Sequence, residues 1–294
     1  MSTTEPRDVA GLGAPRALAL LAPAVLVIAV FLIFPALWTL YIGSTNYELA
    51  GPNSVRPDNV GLGNVTKALG DSDFRHALWL TVIYVAGSAV IGQNLLGFLL
   101  AWALPRAPKA LRASAQGLVL LAWILPSTVV AFLWFALLDQ QSGTLNALLD
   151  NHSTAWLIQY PMLTLIVFNT WRGAAFSMVL YSSALTTVPP AQVEMARLCG
   201  ARGPRLLKDV VFPHIRGHVL TNTLLITLWT ANDFTPYLLT AGGPNHASEV
   251  LPVFIYDQAL VGDQLGYAAA VSAILLVVNL VIAVLYLRLL RRRT

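Results

Sequence analysis

The chain has 294 residues, of which 56% are hydrophobic and 11% charged, with a mean hydropathy of +0.66. A soluble domain carries about 25% charged residues, so this composition fits neither a disordered chain nor an ordinary soluble enzyme. Eighteen Lys and Arg against 14 Asp and Glu give a net charge of +4, but the bases are spread over the gaps between apolar runs, which reads as membrane topology and excludes a nucleic-acid footprint.

Charge-free apolar runs define the elements. A charge at bilayer depth costs about 2.5–3.5 kcal/mol, and a spanning helix needs about 20 apolar residues. Residues 1–16 form an N-terminal tail. The first span covers about 17–43; it is too long for a signal-peptide core and no clear cleavage site follows, so it reads as uncleaved. The second span covers 77–104 and the third 113–138. The fourth, 155–185, is interrupted by Arg172 alone. A long gap at 186–216 precedes the fifth span, 217–240, which passes through Asp233. The sixth covers 265–287, and a basic tail, 289–294, ends the chain. Pro23, Pro35, Pro126 and Pro161 fall within or at the edges of these runs, where neighbouring groups satisfy the freed carbonyls. The pattern predicts an all-α membrane protein with six transmembrane helices in one domain at 17–288.

The gaps set the orientation. The tails, residues 105–112 and the 186–216 loop together hold 14 Lys or Arg and 4 acids; the other three gaps hold 3 and 9. The positive-inside rule places the first set, with both termini, in the cytoplasm, as an even number of spans requires. There is no low-complexity segment and no short-period repeat.

The 186–216 loop carries local signals of its own. Pro189 and Pro190 suit a helix start, and Glu194 falls in the early turns, where the helix dipole favours an acid. Gly200 is placed to end that helix in a left-handed cap. Pro204 starts a second short helix with Leu206, Leu207, Val210 and Val211 on one side, and Pro213 is expected to end it. Periodicity alone leaves a solvated loop with a few helical turns equally open.

This loop resembles the EAA loop of permease subunits in bacterial binding-protein-dependent ABC importers, whose pattern is approximately E-A-A-x-x-D-G-A, a short variable stretch, then I-x-L-P. The chain matches at Glu194, Ala196, Gly200, Ala201, Val210 and Pro213, and departs at Met195, Cys199 and Phe212. Cys199 replaces the family's Asp and removes a carboxylate. Downstream, Leu239-Thr-Ala-Gly-Gly-Pro244 is similar to the L-T-x-G-G-P stretch of the maltose-type sugar branch, and Phe254-Ile-Tyr256, Gly266-Tyr-Ala-Ala-Ala270 and Asn169-Thr-Trp171 follow the same pattern. The resemblance runs from about Gly61 to the C-terminus. It implies the type I ABC importer permease fold, a bacterial cytoplasmic (inner) membrane location, and the first of two permease types. A second, non-identical permease, an ATPase dimer and an extracytoplasmic substrate-binding protein are then the implied partners, besides the lipid bilayer.

The resemblance also assigns roles. The loop containing Glu194, Met195, Ala196, Cys199, Gly200, Ala201 and Pro213 would dock into the ATPase, Glu194 offering a carboxylate and Gly200 the bend. The solute path would use Asn169 and Gly173, Thr230 and Asp233, and Ser127 after the earlier span's I-L-P. Arg172 is open between contacting a solute and pairing with Asp233, since ionisable groups inside spans are candidate sites by default. Trp171 is a candidate for stacking on a sugar ring, although membrane aromatics more often serve packing. Asn94, Asn222 and Asn279 read as interhelical hydrogen bonders.

No catalytic or metal site emerges. The chain has no Gly-Lys pair and so no phosphate-cradling G-x-x-x-x-G-K-[ST]; no cofactor is expected on this chain, and ATP and Mg would be held by the partner ATPase. His214-Ile-Arg-Gly-His218 lacks the Glu of H-E-x-x-H, and no serine sits in a G-x-S-x-G elbow. Cys199 cannot form an intrachain disulfide, has no partner base and is expected as a small buried residue. The rival readings are a secondary transporter, which would lack the EAA loop, an intramembrane enzyme, and a sensor or scaffold subunit.

Overall fold

A computed structural model describes residues 14–151 and 153–291, with side chains from residue 19. The start of the N-terminal tail and the end of the basic C-terminal tail lie outside the described residues. Among those described the chain is helical, its sole β pairing being an isolated bridge between Thr45 and Asn59. Four helices are long and apolar enough to cross a membrane: α1 (Ala19–Gly43), α2 (Ser72–Arg106), α5 (Pro161–Thr186) and α10 (Leu265–Arg291). Two shorter helices, α3 (Lys109–Ile124) and α4 (Ser127–Leu137), qualify only together. Between α5 and α10 lie α6 (Pro190–Leu198), α7 (Phe212–Ala231), α8 (Thr235–Thr240) and α9 (Leu251–Val261). At 1.5 Å per residue, the 20 residues of α7 are about 30 Å long, a bilayer's hydrocarbon thickness, although polar side chains keep it below the apolar threshold the other four meet.

Besides the break between α7 and α8 inside the expected fifth span, the elements depart from the expected spans in four places, each with a local cause. Helix α2 starts at Ser72, because the Asp71 side chain accepts from the Asp73 N–H at 2.8 Å and caps it. The third run is two helices bent by 110° at Leu125–Pro126, where extended backbone ahead of each helix start breaks the ladder. The fourth span begins at Pro161, the residues before it forming a separate turn, Trp156–Gln159. Pro213 does not end a helix. Helix runs unbroken from Pro204 into α7, because the turns at Leu207–Val211 are π-helical and their wider ring leaves room for the proline.

Helix packing follows membrane rules. Lipid tails are as apolar as Leu, so close backbone approach and polar contacts, more than apolar burial, bring the helices together. Many large apolar side chains of α1 accordingly stay exposed, and no residue of its most apolar window is buried. Helices α2 and α5 meet at Gly97, where a Cβ would collide with Ser177 and lie 2.9 Å from the Met178 nitrogen. Asn222 on α7 donates to Asn94 Oδ1 on α2 at 2.9 Å and to Ser177 Oγ on α5 at 3.0 Å, and Tyr181 donates to the same Asn94 oxygen. Asn279 donates to Asn232 at 3.1 Å. The three asparagines thus do bridge helices, as their placement in spans predicts. One apolar cluster around Phe98, Met178, Tyr181 and Ile215 packs beside this network, and a second around Tyr84, Val130, Phe168 and Val253 packs toward α8 and α9.

Candidate functional site

Between α2, α3, α5 and α7 lies a cavity of about 320 Å³, lined by Gln93, Trp123, Asn169, Arg172, Gly173, Ile226, Trp229, Thr230 and Asp233. Small-molecule sites are typically about 300–1,000 Å³, with few polar groups set among apolar and aromatic walls. Helical spacing explains the lining. Asn169, Arg172 and Gly173 are i, i+3 and i+4 on α5; Ile226, Trp229 and Thr230 repeat the pattern on α7, and Asp233 follows just past its end.

The backbone is irregular where it meets the cavity. Residues Val85–Gln93 of α2 are π-helical, a form frequent at functional sites. Helix α7 stops at Ala231, and α8 begins four residues later. Asp233 sits in that break, its Oδ1 accepting from the Thr235 N–H at 3.0 Å and the Thr235 hydroxyl at 2.5 Å.

Arg172 and Asp233 form an ion pair, with Nη1 to Oδ2 at 3.6 Å. Arg172 also donates to Ser127 Oγ at 2.8 Å and Thr235 Oγ1 at 3.3 Å, while its Nε is buried without a partner. Tyr84 donates to Asp233 Oδ2 at 3.4 Å. The guanidinium is therefore neutralised and held by three elements. The Asn169 amide donates to Ser88 Oγ at 2.8 Å and Thr230 Oγ1 at 3.2 Å, and its backbone carbonyl accepts from Gln93 Nε2 at 3.1 Å.

Five of the seven solute-path candidates thus share one cavity: Asn169, Arg172, Gly173, Thr230 and Asp233. Ser127 lies behind it, reached through Arg172. Trp171 lies outside: it is 39% exposed and packs on Trp134 with ring centres 5.6 Å apart. At i+2 from Asn169 it points off the cavity face of α5. Trp123 and Trp229 supply the aromatic walls instead, and Gln93 the extra amide.

The second group of candidates gathers around α6. Pro190 stands at its first position, and the turn after it is a Schellman motif: Ala201 N–H to Ala196 O at 2.9 Å and Gly200 N–H to Arg197 O at 3.0 Å, with Gly200 at φ +85°. None of its residues is buried; Met195 is 66% and Leu198 89% exposed, and Glu194 is exposed beside them. Cys199, expected to be buried, is exposed, because it caps a helix that touches the body of the protein along one edge only. Val193 makes that edge contact, on the cluster around Phe98 and Tyr181. Pro213 is exposed at the start of α7. Among the described residues no group of three His, Cys, Asp or Glu is placed to hold a metal.

Comparisons with known proteins agree with this architecture. The chain is 29% identical over 273 residues to the inner membrane ABC transporter permease protein YcjO of Escherichia coli, covering 90% of each. It is 26% identical over 280 residues to the sn-glycerol-3-phosphate transport system permease protein UgpA of Agrobacterium fabrum, covering 93% of this chain and 94% of that one. Its fold matches a chain in the crystal structure of a bacterial ABC transporter involved in the import of the acidic polysaccharide alginate, with a TM-score of 0.78, 22% identity, and 94% and 95% of the two chains covered. Residues 93–294 match the family described as binding-protein-dependent transport system inner membrane component. The chain belongs to that family and is a permease subunit of an ABC importer.

Proposed function

We propose that this permease forms the translocation path for a sugar or related polyol and is driven by a cytoplasmic ATPase docked on α6. The cavity carries the reading. It offers two indole walls for stacking on a sugar ring, and the amides and hydroxyl of Gln93, Asn169 and Thr230 for its hydroxyls. The one cation inside is already matched by Asp233, which favours an uncharged solute over a phosphorylated one. The relatives named for the transport of sn-glycerol 3-phosphate and of the acidic polysaccharide alginate support a hydroxylated solute, although both of those solutes are anions.

In this reading six spans carry the chain across the membrane with both termini inside. Exposed Glu194, Met195 and Leu198 face the ATPase, which holds ATP and Mg, and the Gly200 turn passes its movement to α7. A second, non-identical permease and an external binding protein complete the importer. This chain binds no cofactor directly.

The test is the complete importer, co-purified with its native partners and reconstituted in proteoliposomes. ATPase stimulation and uptake are measured with maltose, trehalose and sn-glycerol 3-phosphate in the presence of the binding protein. A neutral sugar is expected to stimulate both, and Asn169→Ala to reduce uptake without loss of assembly. Uptake of sn-glycerol 3-phosphate alone overturns the uncharged-solute reading, and uptake of none of the three overturns the sugar reading.

A further inference from the structure

Gln93 stands out among the cavity residues because it is 3% exposed, yet its amide is only part-used. One N–H is spent on the Asn169 carbonyl. Among the described residues its Oε1 accepts no hydrogen bond, and the side chain forms part of the cavity wall. An amide with free acceptor capacity at the wall of a cavity is placed to take a hydrogen bond from a hydroxylated solute.

The glycine opposite explains how the amide gets there. A Cβ built at position 173 would fall inside the Gln93 side chain, with Cδ, Oε1 and Nε2 its three nearest heavy atoms. No backbone atom is nearer than these. Gly173 therefore leaves open the volume that the Gln93 amide occupies, and the π-helical stretch ending at Gln93 swings that residue toward α5.

We infer that Gln93 is a solute-contacting, specificity-determining residue, and that Gly173 is its positioning residue rather than a contact in its own right. The assignment rests on the cavity being the solute path. It predicts that the two positions act as one. An alanine at 173 displaces a flexible side-chain tip and leaves the helices in place, so its cost falls on the solute.

The experiment is a double-mutant cycle on the complete importer in proteoliposomes, using whichever of maltose, trehalose or sn-glycerol 3-phosphate the wild type takes up. Gln93→Ala and Gly173→Ala are each expected to raise KM about tenfold with little change in maximal rate, the worth of roughly one hydrogen bond. The double variant is expected to stay near tenfold rather than reach about a hundredfold. A multiplicative double variant overturns the positioning role. An unchanged KM for Gln93→Ala, with Asn169→Ala raised, overturns the contact while leaving the cavity as the path. Unchanged KM for all three, or uptake of none of the probes, removes the cavity reading and this assignment with it. Should Gly173→Ala fail to assemble, assembly of the double variant supports the steric link and its failure overturns it; Gln93→Leu, which keeps the bulk and loses the amide, then tests the contact.

Discussion

Removing Asp233 is the most direct test of how the cavity is held. The Asp233→Ala change leaves Arg172, with an already unpartnered Nε, as an uncompensated cation in a mid-span cavity. At 3.6 Å and an effective dielectric of 20, the lost attraction is about 4–5 kcal/mol. Hydrogen bonds from Thr235 and Tyr84 go with it, at about 1 kcal/mol each. Against this, the carboxylate no longer has to be desolvated, which returns several kcal/mol. The two side chains keep 22% and 17% exposure, which screens the pair further. The net expectation is a loss of about 2–3 kcal/mol, or roughly 3–5 °C in Tm for a chain of this length. The assay is thermal unfolding of the purified importer in detergent, followed by tryptophan fluorescence, for Asp233→Ala, Arg172→Ala and the double variant. Removing both partners leaves no orphan charge, so the double variant should be more stable than Asp233→Ala alone. Wild-type stability in Asp233→Ala, or a double variant as damaged as the sum of the singles, refutes the pairing as a structural element.

Three further outcomes are expected. Gly97→Ala forces α2 and α5 apart at Ser177 and Met178 and should cost about 1–3 kcal/mol, whereas Gly217→Ala, with nothing within 4 Å, should be neutral; the same unfolding assay separates them. Gly200→Val places a β-branched residue at φ +85° with no neighbour to clash with, so the strain of about 1–2 kcal/mol falls on the turn itself: the spans should still form with Tm lowered by a few degrees at most, while ATP hydrolysis uncouples from uptake; coupled uptake at the wild-type ratio counts against α6 as the coupling element. Glu249, in the loop before α9, is raised above its ordinary 4.5 by burial, with Asp257 adding to the shift and His246, 2.7 Å away, opposing it. The folded state then holds that proton to higher pH than the unfolded chain, so Tm should fall as pH rises from about 4.5 through the raised value. Glu249→Gln, a permanent mimic of the protonated form, should flatten that slope, and an identical pH profile in the variant would show that another group sets it.

The parts legible in the sequence were those with a short-range cause. Pro189, Pro190 and Gly200 bracket α6 because start and stop signals act within a turn, and the structure places the helix and its left-handed cap between them. Asn169, Arg172 and Asp233 are visible as an amide or a charge in an apolar run, and all three converge on one cavity. Trp171 takes the packing role, against Trp134, and the sequence carries the reason, since a residue two positions from Asn169 cannot share its helix face. The same stripe logic on α7, from Ile226 through Trp229 and Thr230, finds Trp229. Gln93 carries the same signal, an amide in the second apolar run, but not the face it takes; Trp123 gives no signal beyond that of an aromatic in a span. Gln93 ends a π-helical stretch and Trp123 lies one turn before the 110° bend after α3, and the facing of each depends on packing between helices rather than on local sequence. Pro126 marked the place of the bend but not its angle, which packing of α4 against α8 fixes.

These irregularities share a single focus. The bend at Pro126 presents Ser127 at the start of α4, and the gap between α7 and α8 presents Asp233 and Thr235. All three bind Arg172. Across α2 the π-helical stretch carries Ser88 and Gln93, which bind Asn169 one turn earlier on α5. Inside a bilayer, non-helical backbone is tolerated only where protein buries it or it lines a cavity, because nothing in lipid satisfies a free N–H or carbonyl. Here one face of a single regular helix, α5, supplies the groups that tie these three breaks together. A straight helix with Asn169 and Arg172 fixed three residues apart is a rigid rail, and the broken elements around it are the ones free to rearrange. On the coupling proposed above, movement passed from α6 through the Gly200 turn would reach α7 first, and Asp233 lies two residues past the end of α7. The ion pair therefore lies at the junction between the rail and α7, and on the proposed coupling the Arg172–Asp233 distance is the one a movement of α7 would change first.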